Sequence, residues 1–230
     1  MKKLFTIFIF SVIIIPLCVL KAESPKDPIA IAKKVIKEVT FKDGLEKESW
    51  IDLKASQTLS AESEVKTGTK SLAAILFTDG SGTITVRENS HLFIYGDKGD
   101  KKINNKNSFL DKGVIGFKVT KQKDDAFLIS TPTAVASIRG SSGFVEFDDD
   151  STFIFHLNDG SASVKLLIGD KAEQEIGEGY TIEVHPDGQI VYRAATSEEQ
   201  TTFNDTMNLN NSKKLFINTP DGKVEIEYTE

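Results

Sequence analysis

The side chains able to do chemistry are few and scattered along the chain. His91, His156 and His185 are the only histidines among the 230 residues. No two of them stand at a metal-ligand spacing such as His-x-x-x-His. Each falls on the polar side of an alternating stretch or at its end, which predicts a solvated surface position. No Gly-x-Ser-x-Gly elbow is present, and Gly140-Ser141-Ser142-Gly143 lacks the spacing that strains a serine into a nucleophile. Gly80-Ser81-Gly82 is too short for a phosphate loop and has no lysine at the required place. Cys18 is the one cysteine and lies in the apolar N-terminal stretch, so thiol chemistry is not expected of the mature chain.

Clusters of oxygen ligands fare no better. Asp148-Asp149-Asp150 and Asp124-Asp125 carry the carboxylates that calcium takes. Neighbouring side chains on extended backbone point to opposite faces, so solvated turns are predicted instead. Arg139 has two readings. Its guanidinium fork is shaped to recognise a carboxylate or phosphate, and it equally serves to clamp loop carbonyls or a nearby aspartate; the clamp is the expectation. Trp50 and the fifteen phenylalanines suggest a sugar platform or a core, and alternating positions favour the core. No catalytic residue, no cofactor and no metal site is predicted; the chain is not expected to be an enzyme.

The elements around these residues are strands. Phe153, Phe155 and Leu157 alternate with polar neighbours, as do Tyr180, Ile182 and Val184, then Val224, Ile226 and Tyr228, and Ile115, Phe117 and Val119. A period of two puts apolar side chains on one face and polar ones on the other, as in antiparallel sheets with one wet side. Asp-Gly at Asp43-Gly44, Asp79-Gly80, Asp159-Gly160, Asp187-Gly188 and Asp221-Gly222 marks turns, since glycine takes positive φ cheaply. Three hairpins are expected: 72–77 with 83–86, 153–157 with 162–168, and 215–217 with 224–228. Glu178-Gly179 turns the chain into the Tyr180 strand. The fold class is all-β: antiparallel hairpins forming a β-sandwich or a solenoid-like stack, with a short helix near the C-terminus.

Three stretches interrupt the alternation. Residues 97–113, rich in lysine and asparagine, read as a loop. Residues 148–150 read as a tight turn. In 194–213 one helix is expected, with Ser197 as its cap, Glu198 and Glu199 in its first turn and Phe203 and Met207 at i, i+4. Residues 29–39 fit either a helix face (Ile29, Ala32, Ile36, Val39) or a strand (Val35, Val39, Phe41).

Location is written at the N-terminus. Met1-Lys2-Lys3, an apolar run from Leu4 to Leu20 and Ala22 make a secretory signal peptide over residues 1–22, with a mature start near Glu23. An uncleaved anchor and a lipoprotein acylated on Cys18 are the alternatives. Loss of Lys2, Lys3 and Lys21 with the leader takes the net charge from −6 to −9. No basic stripe is present, so nucleic acid is not an expected partner and anionic lipid is disfavoured. Membrane contact is expected only through an uncleaved or lipidated N-terminus. Without a disulfide the mature chain relies on packing.

From about residue 30 to 190 the chain resembles the FecR protein domain. The resemblance rests on Glu38-Val39-Thr40-Phe41, Val65-Lys66-Thr67-Gly68, Thr78-Asp79-Gly80-Ser81, Arg87-Glu88-Asn89-Ser90-His91-Leu92 and Asp159-Gly160-Ser161-Ala162-Ser163-Val164. Most specific is the central run from Ser130-Thr131-Pro132 through Ile138-Arg139-Gly140. It implies an all-β, non-enzymatic envelope domain over 30–193; the residues themselves, not the resemblance, make 194–230 a polar segment holding the helix and a C-terminal hairpin. Its best-known members take a signal from an outer-membrane transporter and pass it to a sigma factor. Only Met1-Lys2-Lys3 precedes the apolar run here, so a direct anti-sigma role is not expected. The expected function is an exported, periplasmic or cell-surface interaction or scaffold module with an unknown envelope protein as partner. The alternatives are a glycan- or peptidoglycan-binding module and an accessory part of extracytoplasmic signalling.

Overall fold

The computed structural model describes residues 27–44, 49–122, 125–169, 171–209, 212–219 and 222–229. The expected leader and its expected processing site lie outside them. In chain order the strands are β1 (Ala30–Ile36), β2 (Val39–Lys42), β3 (Ile51–Asp52), β4 (Thr58–Leu59), β5 (Ser63–Thr67), β6 (Leu72–Phe77), β7 (Gly82–Val86), β8 (His91–Lys98) and β9 (Ile103–Val119). There follow β10 (Phe127–Ser130), β11 (Ala134–Ile138), β12 (Ser142–Phe147), β13 (Phe153–Asp159), β14 (Ser161–Leu166), β15 (Glu173–Gly177), β16 (Tyr180–Val184) and β17 (Ile190–Ala194). Helix α1 (Ser197–Met207) and a separate hairpin, β18 (Ser212–Thr219) with β19 (Gly222–Thr229), complete the chain. The all-β expectation holds, and 29–39 resolves as strand.

Pairing sorts the seventeen strands before the helix into two layers. One runs β4–β1–β6–β7–β9–β12–β13–β16–β17. The other runs β3–β2–β5–β8–β9–β10–β11–β14–β15. All pairs are antiparallel except β9 with β10. Hairpins β6–β7, β12–β13 and β16–β17 lie in the first layer, and β8–β9, β10–β11 and β14–β15 in the second. Of the two expected architectures, the structure is the sandwich, assembled from hairpins.

Strand β9 belongs to both layers. Its first part, up to Lys112, pairs with β8, and Gly113 onward pairs with β12. The crossing is made at Gly113, whose φ of +97° is open to glycine at little cost. The backbone there passes so close to Ser90 that a Cβ would lie 2.6 Å from its Cα. Ser90 holds the crossing by accepting from the Val114 N–H at 3.0 Å.

The core fills the space between layers. Ala73, Ile75 and Phe77 of β6, Phe153, Phe155 and Leu157 of β13, and Ala134, Ala136 and Ile138 of β11 are all buried. Phe77 meets Phe127 of the opposite layer edge to face at 4.9 Å. Phe117 stacks on Phe155 at 5.5 Å. The small side chains of the central run thus face inward, as their size suggests.

Two expectations need correction. Residues 153–157 do not pair with 162–168; β13 lies between β12 and β16, and β14 lies between β11 and β15. The turn at Gly160 (φ +85°) carries the chain from one layer to the other instead of folding it back on itself. Residues 97–113 are not a loop. Only the tip around Gly99 turns, where its N–H donates to the Lys102 carbonyl at 2.9 Å, and the rest is strand. Their polarity has a structural cause. Lys106 turns inward to Asp79 at 3.3 Å, both side chains being almost fully buried. The hairpins at 72–86 and 212–229 form as expected, with Leu215 opposite Ile226 and Ile217 opposite Val224.

The helix forms where expected, one residue early. Thr196, not Ser197, is the cap, in a capping box with Glu199. Helix α1 lies on the outer side of the first layer against β9, β12 and β13. Gly116 makes room for it, because a Cβ there would sit 2.6 Å from Thr206 and 2.8 Å from the Met207 sulfur.

Candidate functional site

Two surface regions gather polar and aromatic groups. The first is on the outer face of the second layer. Strands β5 and β8 are in register with Lys66 opposite His91 and Glu64 opposite Phe93, so these side chains share one face. His91 Nε2 lies 3.2 Å from Glu64 and its Nδ1 3.0 Å from Asp111. Its ring meets Trp50 edge-on at 6.0 Å and Phe93 at 4.5 Å. Phe93 and Tyr95, two apart on β8, hold their rings parallel within 3° at 6.4 Å. Lys66 Nζ sits 4.1 Å from the centre of the Trp50 ring. Beside this group is a cavity of about 480 Å³ lined by Lys66, Asn89, Ser90, His91, Asp111 and Lys112. His91 is thus not freely solvated, since two carboxylates clamp it. Trp50 is not in the core: it is 36 % exposed.

The second region lies where β9 and β11 end, β12 begins and β13 turns into β14. Its cleft, about 390 Å³, is lined by Lys118, Lys121, Arg139, Ser141, Ser142 and Asp159 among others. Backbone bonds fix the walls. Val119 and Ser141 exchange N–H···O bonds at 2.9 and 3.2 Å, and the Gln122 N–H donates to the Arg139 carbonyl at 2.5 Å. Gly140 is needed here because a Cβ would come within 2.9 Å of the Lys121 Cα. Ser142 donates from its N–H and its hydroxyl to the two oxygens of Asp159, at 3.1 and 2.5 Å. Ser141 Oγ donates to the Ser161 carbonyl at 2.9 Å. Arg139 itself is exposed. Its guanidinium clamps neither a carbonyl nor an aspartate among the described residues, contrary to the clamp expected of it.

The remaining candidates fall elsewhere. His156 is buried, not solvated. Helix α1 covers it, with Phe144 and Phe203 rings at 5.2 and 6.1 Å and Thr181 Oγ1 3.3 Å from Nδ1. Burial lowers its pKa, against the opposing pull of Glu199. His185 is half-buried, 3.2 Å from Glu183. Asp148, Asp149 and Asp150 form an exposed hairpin tip in which Asp148 accepts from the Thr152 N–H at 2.8 Å. Asp125 pairs with Lys102 at 3.4 Å; Asp124 lies outside the described residues. Gly80-Ser81-Gly82 is the turn between β6 and β7. Among the described residues no three metal-binding side chains converge.

Sequence reasoning missed the Glu64–His91–Asp111 group and the Asp79–Lys106 pair. Alternation does place Glu64 and Lys66 on one face, but it does not reveal which strand lies alongside. Asp79 accepts from the Ser81 and Ile103 N–H groups at 3.0 and 2.9 Å. Burial pushes its carboxyl up, but these bonds and the Lys106 charge outweigh that and hold its pKa below the usual value.

A two-layer sandwich of hairpins with one strand shared by both sheets is the class that this fold defines. Residues 63–163 match the family model described as FecR protein, a stretch that runs from β5 into β14 and includes the Arg139 cleft. Two crystal structures of a candidate anti-sigma factor from Parabacteroides distasonis ATCC 8503, at 1.65 and 2.50 Å resolution, share the fold. Their TM-scores are 0.52 and 0.53 at 15 % and 16 % identity, covering 69 % of this chain and 69 % and 68 % of theirs. No curated protein matches the chain in sequence.

Proposed function

We propose that the protein is an exported envelope module that takes part in signalling by holding a partner protein, without catalysing a reaction. The observation that carries this reading is the match to the FecR family model at 63–163. The fold shared with a candidate anti-sigma factor supports a signalling role, and the leader over residues 1–22 supports export. Ionic groups inside the molecule serve the fold: Asp79 and Lys106 neutralise each other, and Glu199 caps a helix. Expression of the full chain in a bacterium, followed by fractionation and intact-mass analysis, tests the export half. A mature start near Glu23, or a lipidated Cys18, in the envelope fraction is expected; an intact leader on a cytosolic protein would overturn it. Cross-linking in the envelope tests the other half. One partner recovered in fixed ratio is expected, and recovery of abundant bystanders alone counts against it.

A second reading has its own observation. The exposed Trp50 and the parallel Phe93 and Tyr95 rings, flanked by Glu64, His91 and Asp111, offer flat apolar faces beside hydrogen-bonding groups. That combination suits a polysaccharide or peptidoglycan strand. Glycan-array binding that disappears in Trp50→Ala supports it; a blank array ends it.

A further inference from the structure

We infer that the Arg139 cleft is a docking site for a carboxylate-rich peptide segment of the partner. This rests on the interaction reading above and names the contact chemistry. Lys118, Lys121 and Arg139 are all exposed and line one cleft. None of the three cationic groups has an ion-pair partner among the described residues. The chain as a whole is acidic, with a net charge of −6, so three uncompensated cations side by side are a local inversion of sign. Among the described residues Asp159 is the one acid in the lining, and both its oxygens are already occupied by Ser142. The cleft therefore keeps an excess of positive charge.

The geometry is built, not incidental. Three segments converge here, and Gly140 brings the arginine-bearing turn against the Lys121 backbone. Gly160 does the same from the other side, since a Cβ there would lie 2.6 Å from the Gly140 carbonyl oxygen. The Arg139 fork matches a carboxylate through two parallel N–H···O bonds, and the lysines supply flanking charge. Among the described residues no aromatic ring lines the cleft to stack on a sugar. An acidic peptide therefore fits better than an acidic polysaccharide.

Fluorescence anisotropy of the mature chain with a labelled oligoglutamate peptide tests the site. Binding at low salt that weakens steadily as salt rises is expected. Arg139→Gln should weaken it about tenfold and Arg139→Lys nearly as much, because the fork is lost in both. Lys165→Gln, an exposed charge on β14, should leave it unchanged. Equal affinity for wild type and Arg139→Gln, or indifference to salt, would overturn the assignment. So would binding of oligogalacturonate with none of oligoglutamate. If oligoglutamate fails while the cross-linked partner is still captured in fixed ratio, the cleft assignment falls and the interaction reading stands.

Discussion

Glu199 of α1 grips Arg193 of β17 with both oxygens, at 2.8 and 2.9 Å, while one of those oxygens also accepts the Thr196 N–H at 2.8 Å. One carboxylate thus starts the helix and ties it to the edge of the first layer. Burial alone would raise its pKa, but the Arg193 and Thr196 hydrogen bonds prevail and lower it. Glu199→Ala removes the capping box and the tie together. We expect a loss of about 1–2 kcal/mol, read as a lower urea midpoint, because the arginine is partly exposed and the ion pair itself contributes little.

His156 should give the protein a dependence on pH near neutrality. Its folded-state pKa is below the ordinary value of 6.5, chiefly through burial, with Glu199 opposing. The unfolded chain therefore binds a proton that the folded chain refuses. The stabilisation is whole above about pH 6.5 and is lost as pH falls toward the folded-state value. The groups around the ring are Thr181, Phe144 and, from α1, Phe203 and Glu199. Urea midpoints between pH 7.5 and pH 5, values chosen to bracket the histidine range, should fall more steeply for wild type than for His156→Gln. Parallel curves would refute the assignment.

At Gly113 an alanine meets both positive φ and the Ser90 backbone. Gly113→Ala should cost at least about 2 kcal/mol. Thermal unfolding checks this, with Gly177→Ala as the control, since nothing lies near a Cβ there.

The Asp79–Lys106 pair is buried in a setting where removing one member strands the other. Lys106→Met should cost roughly 3 kcal/mol, and Asp79→Asn with Lys106→Met should recover much of it. A double-mutant cycle in urea measures the coupling. In wild type the Asp79 contribution is present above its unfolded value near 3.8 and is lost as pH falls through the lower folded value.

Much of this fold is legible in the residues, and the gaps have identifiable causes. Alternation placed Phe153, Phe155 and Leu157 in the core because it reports which face of a strand is dry. It does not report the neighbour, so Asp159-Gly160 reads as a hairpin turn although it changes layers. Residues 97–113 read as loop because a buried lysine paired with a distant aspartate looks polar to any local pattern. His156 reads as solvated because the helix that covers it starts some forty residues later. At Arg139 the residue type is visible in the sequence and its surroundings are not, because the cleft it lines is assembled from segments distant along the chain.

Strand β9 has a mechanical meaning as well. One unbroken peptide thread is woven into both sheets, so they cannot slide past each other as two greasy plates would. A pull on the outer side of either layer travels to the other as tension along covalent bonds, and slippage would first have to unzip the ladder on one side of Gly113.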